Sequence, residues 1–143
     1  MLKEIPPSEI VRTAVQMVGS ATSSIRMTMH ADEEVRNPIP EEYFVLLQKK
    51  VRDGVKVTRI GFGTEQKFAP LASRVFIDHP NYVFIRTEAL DYRRMLLADG
   101  TKLLFARTDA MGRRVFCTDD ASTIGSYAEY FDRQAEAARG GDY

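Results

Sequence analysis

The chain has 143 residues, 44% of them hydrophobic and 28% charged, and its 20 basic residues balance 20 acidic ones. This length predicts one domain spanning 1–143 that buries its own core, and the absence of a basic excess argues against nucleic-acid binding by this chain alone. The single cysteine, Cys117, excludes an internal disulfide and a cysteine-based zinc cluster. No apolar run approaches the ~18 residues of a membrane span, and the N-terminus lacks the apolar stretch of a secretory signal, so a cytoplasmic location without membrane contact is expected.

In chain order, residues 1–7 read as an extension or linker closed by Pro6-Pro7. Ser8 then caps an amphipathic helix reaching about Ala21, with Ile10, Ala14, Val15, Met17 and Val18 at apolar positions. Ser24 to His30 alternates apolar and polar residues, the pattern of a strand with one buried face. Asp32-Glu33-Glu34 and Asn37-Pro38-Ile39-Pro40 read as a solvated loop. Pro40, Glu41 and Glu42 open a second helix, because proline and acidic residues suit a first turn. Its apolar positions Tyr43, Phe44, Leu46, Leu47 and Val51 have helical spacing, and Asp53-Gly54 ends it.

Val55 to Phe62 is rich in β-branched residues and reads as a strand. A helical segment from about Glu65 to Val75 follows, interrupted by Pro70. His79-Pro80-Asn81 makes a turn before a strand from Tyr82 to Thr87. Arg93 to Ala98 and Lys102 to Arg107 then form a hairpin around Asp99-Gly100, a dipeptide suited to tight turns. Val115 to Thr118 is a last short strand, in which Cys117 reads as a buried thiol rather than a reactive one. Asp119-Asp120 cap a closing helix from Ala121 to about Ala137, and 138–143 read as a frayed tail. This order predicts the α/β class, with a mixed sheet flanked by helices on both faces.

The stretch Tyr92-Arg93-Arg94 through Asp99 resembles the signature of the phospholipase D superfamily, His-x-Lys-x-x-x-x-Asp followed by a strand and a Gly-Ser pair. Counting back from Asp99 puts Tyr92 at the histidine position and Arg94 at the lysine position. Ala106-Arg107-Thr108-Asp109 stands where Gly-Ser is expected, and the Gly125-Ser126 pair falls in the last helix instead. Val18 to Ile25 and Asp53-Gly54-Val55-Lys56-Val57 resemble the family's two helix–strand joints. The resemblance covers nearly the whole chain and implies one phospholipase D-like half, pairing as a homodimer with two copies of the Tyr92–Arg94 strand near the axis. Degenerate halves of this kind resemble the effector-binding domain of archaeal TrmB-like transcription regulators, which implies a non-catalytic module for ligand sensing or dimerisation. The opening Glu4 to Val11 looks like the junction after a DNA-binding unit.

In active members of the family the histidine attacks phosphorus and the lysine holds the phosphate oxygens. That work needs a group titrating near neutrality, whereas a tyrosine hydroxyl titrates near ~10. Loss of catalysis is therefore expected, with a phosphodiesterase or nuclease using a non-standard site as the alternative. No base is visible beside Tyr92, since Asp91 points to the other strand face. Arg94 keeps the charge and offers a bidentate fork for phosphate or carboxylate, against the alternative of an ordinary charged residue on a sheet. Tyr92, Arg94, Arg107 and His30 are the candidate ligand-binding residues, with a small anion as the expected ligand. His30 and His79 each read either as a residue at the carboxyl ends of the strands or as a structural histidine. The pairs Arg93-Arg94 and Arg113-Arg114 read as surface charges or as the lining of an anion cleft. No cofactor and no metal site are expected.

Overall fold

A computed structural model of the protein describes residues 1–140. Its strands are β1 (Lys3–Ile5), β2 (Ser24–His30), β3 (Lys56–Phe62), β4 (Tyr82–Thr87), β5 (Met95–Ala98), β6 (Lys102–Asp109) and β7 (Gly112–Thr118). The helices are α1 (Ile10–Ser20), α2 (Ala31–Arg36), α3 (Glu41–Arg52), α4 (Glu65–Phe68), α5 (Ala72–Val75) and α6 (Ala121–Gly140), with single 3-10 turns at Pro7–Glu9 and Ala69–Leu71. One seven-stranded sheet runs in the order β1-β7-β6-β5-β2-β3-β4. β2, β3 and β4 are parallel, and every other pairing is antiparallel. This is the expected α/β architecture with a mixed sheet.

The period-2 alternation of the strands sorts side chains onto two cores. Ile25, Met27, Val57, Leu96, Ala98 and Leu104 face α1 and α3, packing with Val18, Leu47 and Val51. Ile60, Met95, Leu97, Leu103 and Phe105 face α6, packing with Ile124, Tyr130 and Phe131. All four residues of β5 are buried, as expected of a central strand covered on both faces. Gly61 on β3 lets two rings close over the sheet: a Cβ there would lie 2.5 Å from Phe84 and 2.7 Å from Phe68.

Asp99 (φ 56°) and Gly100 (φ 68°) both lie in the left-handed region, the geometry of a tight hairpin turn between β5 and β6. The Asp99 carboxylate also reaches the joint between α1 and β2. It accepts hydrogen bonds from the amides of Thr22 (3.0 Å), Ser23 (2.8 Å) and Ser24 (3.1 Å) and from the Ser23 hydroxyl (2.9 Å). Burial opposes its ionisation, yet these bonds prevail and pull its pKa down to about 2.

Several elements differ from expectation. Residues 3–5 form an edge strand antiparallel to β7 rather than part of a linker. Its first two residues, Lys3 and Glu4, are exposed charges of the kind that blunt a sheet edge. Residues 31–36 form α2 rather than a loop: the His30 side chain caps it by accepting the Asp32 amide at 3.1 Å, and its acidic first turn and Arg36 suit the helix dipole. β5 begins at Met95 rather than Arg93 because side-chain hydroxyls take over the ladder. Thr28 donates to the Arg93 carbonyl (2.6 Å) and accepts from the Met95 amide (3.0 Å), while Tyr130 accepts from the Arg93 amide (2.9 Å). The Glu65-to-Val75 segment breaks into α4, a 3-10 turn holding Pro70, and α5. The last helix continues through Gly140, so much of the expected frayed tail is helical, and 141–143 lie outside the described residues. No helix among the described residues is long and apolar enough to cross a membrane.

Candidate functional site

The parallel strands β2 and β3 end side by side at His30 and Phe62, and α2 leaves directly from the first of them. Tyr92 sits over these ends, its ring 5.2 Å edge-on from His30 and 5.1 Å from Phe62. The first turn of α2 delivers Glu33 to the same place. Tyr92 Oη donates to Glu33 Oε1 at 2.7 Å, Arg94 Nη1 donates to the same oxygen at 3.2 Å, and Arg113 binds Oε2. The slot framed by Tyr92 and Arg94 therefore holds a carboxylate belonging to the chain itself.

Burial alone would raise the pKa of Glu33. Hydrogen bonds from Arg113 and Tyr92 and the charges of both arginines outweigh it and hold Glu33 below the usual carboxylate range. Tyr92 moves the other way. Burial pushes its hydroxyl well above the ordinary phenol value, the Glu33 carboxylate adds to the rise, and the charge of Arg94 only partly opposes them. Glu33 is thus a carboxylate within reach of Tyr92, the group that was not visible beside it in sequence. It remains a weak base facing a very weak acid, so the pair favours a protonated phenol over a phenolate nucleophile.

Of the four candidate residues, the structure brings Tyr92, Arg94 and His30 together. The His30 ring uses Nδ1 to accept the Asp32 amide, which leaves Nε2 to carry the ring proton. Arg107 is not part of the cluster. It follows Phe105 on the face of the sheet that packs against α6, where its guanidinium lies 4.7 Å over the Phe116 ring. Arg113 takes its place because it precedes Val115 and Cys117, which share the opposite face; in sequence it reads only as one of the basic pair Arg113-Arg114. His79 sits before β4, at the amino end of that strand, where its Nδ1 accepts the Asn81 amide at 3.0 Å. It is a turn residue, far from the carboxyl ends. Cys117 is buried.

No family model matches the chain in sequence, and no curated protein matches it. Solved structures do match. TrmBL2, an archaeal chromatin protein with a novel mode of DNA binding, aligns with a TM-score of 0.71 at 17% identity, over 96% of this chain and 52% of that one. Nuc from Salmonella typhimurium, a phospholipase D family member, aligns with a TM-score of 0.64 at 12% identity, over 96% and 93%. NucT from Helicobacter pylori gives 0.61 at 14%, over 96% and 95%. The chain spans about half the length of TrmBL2 and nearly all of the other two.

The first of these likenesses corrects one expectation. The balanced charge of the chain does not exclude nucleic acid, because a DNA-binding protein contains this same fold. Phosphate contacts need a local cluster of cations and not a basic total. Strand order, hairpin and likenesses agree: the chain has a phospholipase D-like fold that resembles TrmB-like proteins.

Proposed function

We propose that this chain is a non-catalytic phospholipase D-like domain for ligand sensing and dimerisation, working in transcription regulation. The observation that carries the reading is the Glu33 carboxylate held by Tyr92, Arg94 and Arg113. A phenol whose proton is held against ionisation replaces the imidazole a phosphoryl transfer would use, and an internal anion occupies the arginine fork. A ligand enters this site by displacing Glu33 from the two arginines, which moves α2. The likeness to TrmBL2 supports the regulatory setting and makes DNA one of the partners to assay. Leu90 and Met111, 100% and 83% exposed, lie in the loops next to Tyr92 and Arg113 and supply apolar contacts for a twofold pairing.

A phosphodiesterase or nuclease with a non-standard site is the second reading. It is favoured by the near-complete overlap with Nuc, a phospholipase D family member. One assay separates the two. Incubation with bis(4-nitrophenyl) phosphate and with DNA is expected to give no turnover, and turnover that disappears in Tyr92→Phe would overturn the first reading.

A further inference from the structure

A cavity of about 330 Å³ opens on another side of α2, between that helix, α3, β3 and α5. Arg59, in the middle of β3 and only 3% exposed, forms part of its wall. Its Nη1 donates to the Arg74 carbonyl (3.0 Å) and, at the edge of range, to the Tyr82 hydroxyl (3.5 Å); Nη2 donates to the Met29 sulfur (3.0 Å). Its Nε is buried with no acceptor at all. None of these partners carries a charge, and a thioether is a weak acceptor. Among the described residues no carboxylate forms an ion pair with Arg59, so the fold buries a guanidinium cation without a counter-ion, which is costly.

The nearby carboxylate does not answer it. Glu34, 5% exposed, spends Oε1 on Arg74 Nη1 (2.9 Å) and on the Ile39 amide (3.1 Å). Its Oε2 accepts no hydrogen bond from the described residues, and Glu34 is one of the residues lining the cavity. The same wall carries the apolar Ile39 and Phe44. A cavity of this size, apolar in part with a few convergent polar groups, suits a small organic molecule.

We infer that this cavity binds a small organic carboxylate with a donor group of its own, an amino acid or a hydroxy acid. Arg59 and Arg74 face its carboxylate, Glu34 Oε2 receives the amino or hydroxyl donor, and Ile39 and Phe44 cover its apolar remainder. The inference is independent of the site at Tyr92 and stands or falls separately from it.

Calorimetry and thermal shift with L-phenylalanine, L-3-phenyllactate, 3-phenylpropionate and inorganic phosphate test this. At least one of the first two is expected to bind saturably and at least tenfold more tightly than the donor-free 3-phenylpropionate. Arg59→Met is expected to weaken that binding at least tenfold while leaving Tm of the free protein unchanged or higher, since it removes an uncompensated buried charge. Glu34→Gln is expected to shrink the preference over 3-phenylpropionate, and the amino and hydroxy probes separate the two sources of donor. The inference is overturned if no probe binds saturably, if 3-phenylpropionate or phosphate binds as well, or if binding survives Arg59→Met. It is equally overturned if that variant unfolds or melts lower, for then Arg59 serves the fold alone.

Discussion

Tyr92 and Glu33, 59 positions apart in sequence, meet at 2.7 Å above the carboxyl ends of β2 and β3, with Arg94 on the same carboxylate oxygen. Removing the charge leaves two arginines facing each other without a counter-ion. Glu33→Gln is expected to cost about 1 kcal/mol in urea unfolding, a modest figure because Arg94 and Arg113 are both partly solvated. The same variant is expected to gain a larger thermal stabilisation from added phosphate than the parent. An identical phosphate response in both would count against an anion fork closed by Glu33.

Asp99 and Glu33 are two of the carboxylates that tie stability to pH on the acid side. Both have folded pKa values below their unfolded ones, Asp99 at about 2. Each therefore adds stability that is present above its unfolded value, near ~4, and is lost as pH falls through the folded one. Asp99→Asn keeps a turn-compatible residue while losing the charge, and is expected to flatten the fall in stability between about pH 4 and pH 2. Urea midpoints measured across that range check it. Parallel curves for parent and variant would show that the bonds to Thr22–Ser24 carry no charge-dependent energy.

Gly61→Ala places a methyl group between the Phe84 and Phe68 rings. Both rings pack in the core beneath α4 and α5, so the expected cost is about 1–3 kcal/mol of overpacking. Combining it with Phe84→Leu is expected to recover part of that loss, which a double-mutant cycle in chemical unfolding measures.

The proposed pairing is tested by Leu90→Ser with Met111→Ser. Sedimentation equilibrium is expected to show a weaker dimer in the double variant, with the monomer's melting temperature unchanged because neither side chain is part of the core. A parent that remains monomeric at high concentration removes dimerisation from the reading.

How much of this was legible in sequence depended on whether the signal was local. Ser24–His30 and Tyr82–Thr87 end where the alternation and the flanking turn residues end. Asp99-Gly100 carries its turn chemistry within two residues. α2 escaped because its cap is the side chain of the preceding strand's last residue, His30, and because a run of acidic residues looks solvated until its arginine partners arrive from elsewhere. Glu33 meets Arg113 across 80 positions, and no periodicity reports such a distance. Arg107 and Arg113 were alike as charges; only the register of β6 with β7 separates them onto opposite faces. Arg59 sat inside a β-branched run where a lone arginine gave no sign of being buried, still less of lacking an anion.

α2 is only six residues long, and its neighbouring carboxylates are gripped from two directions, Glu33 by Arg94 and Arg113, Glu34 by Arg74. A ligand that displaced either carboxylate would remove one of the anchors of this helix, so the two proposed sites share a single support.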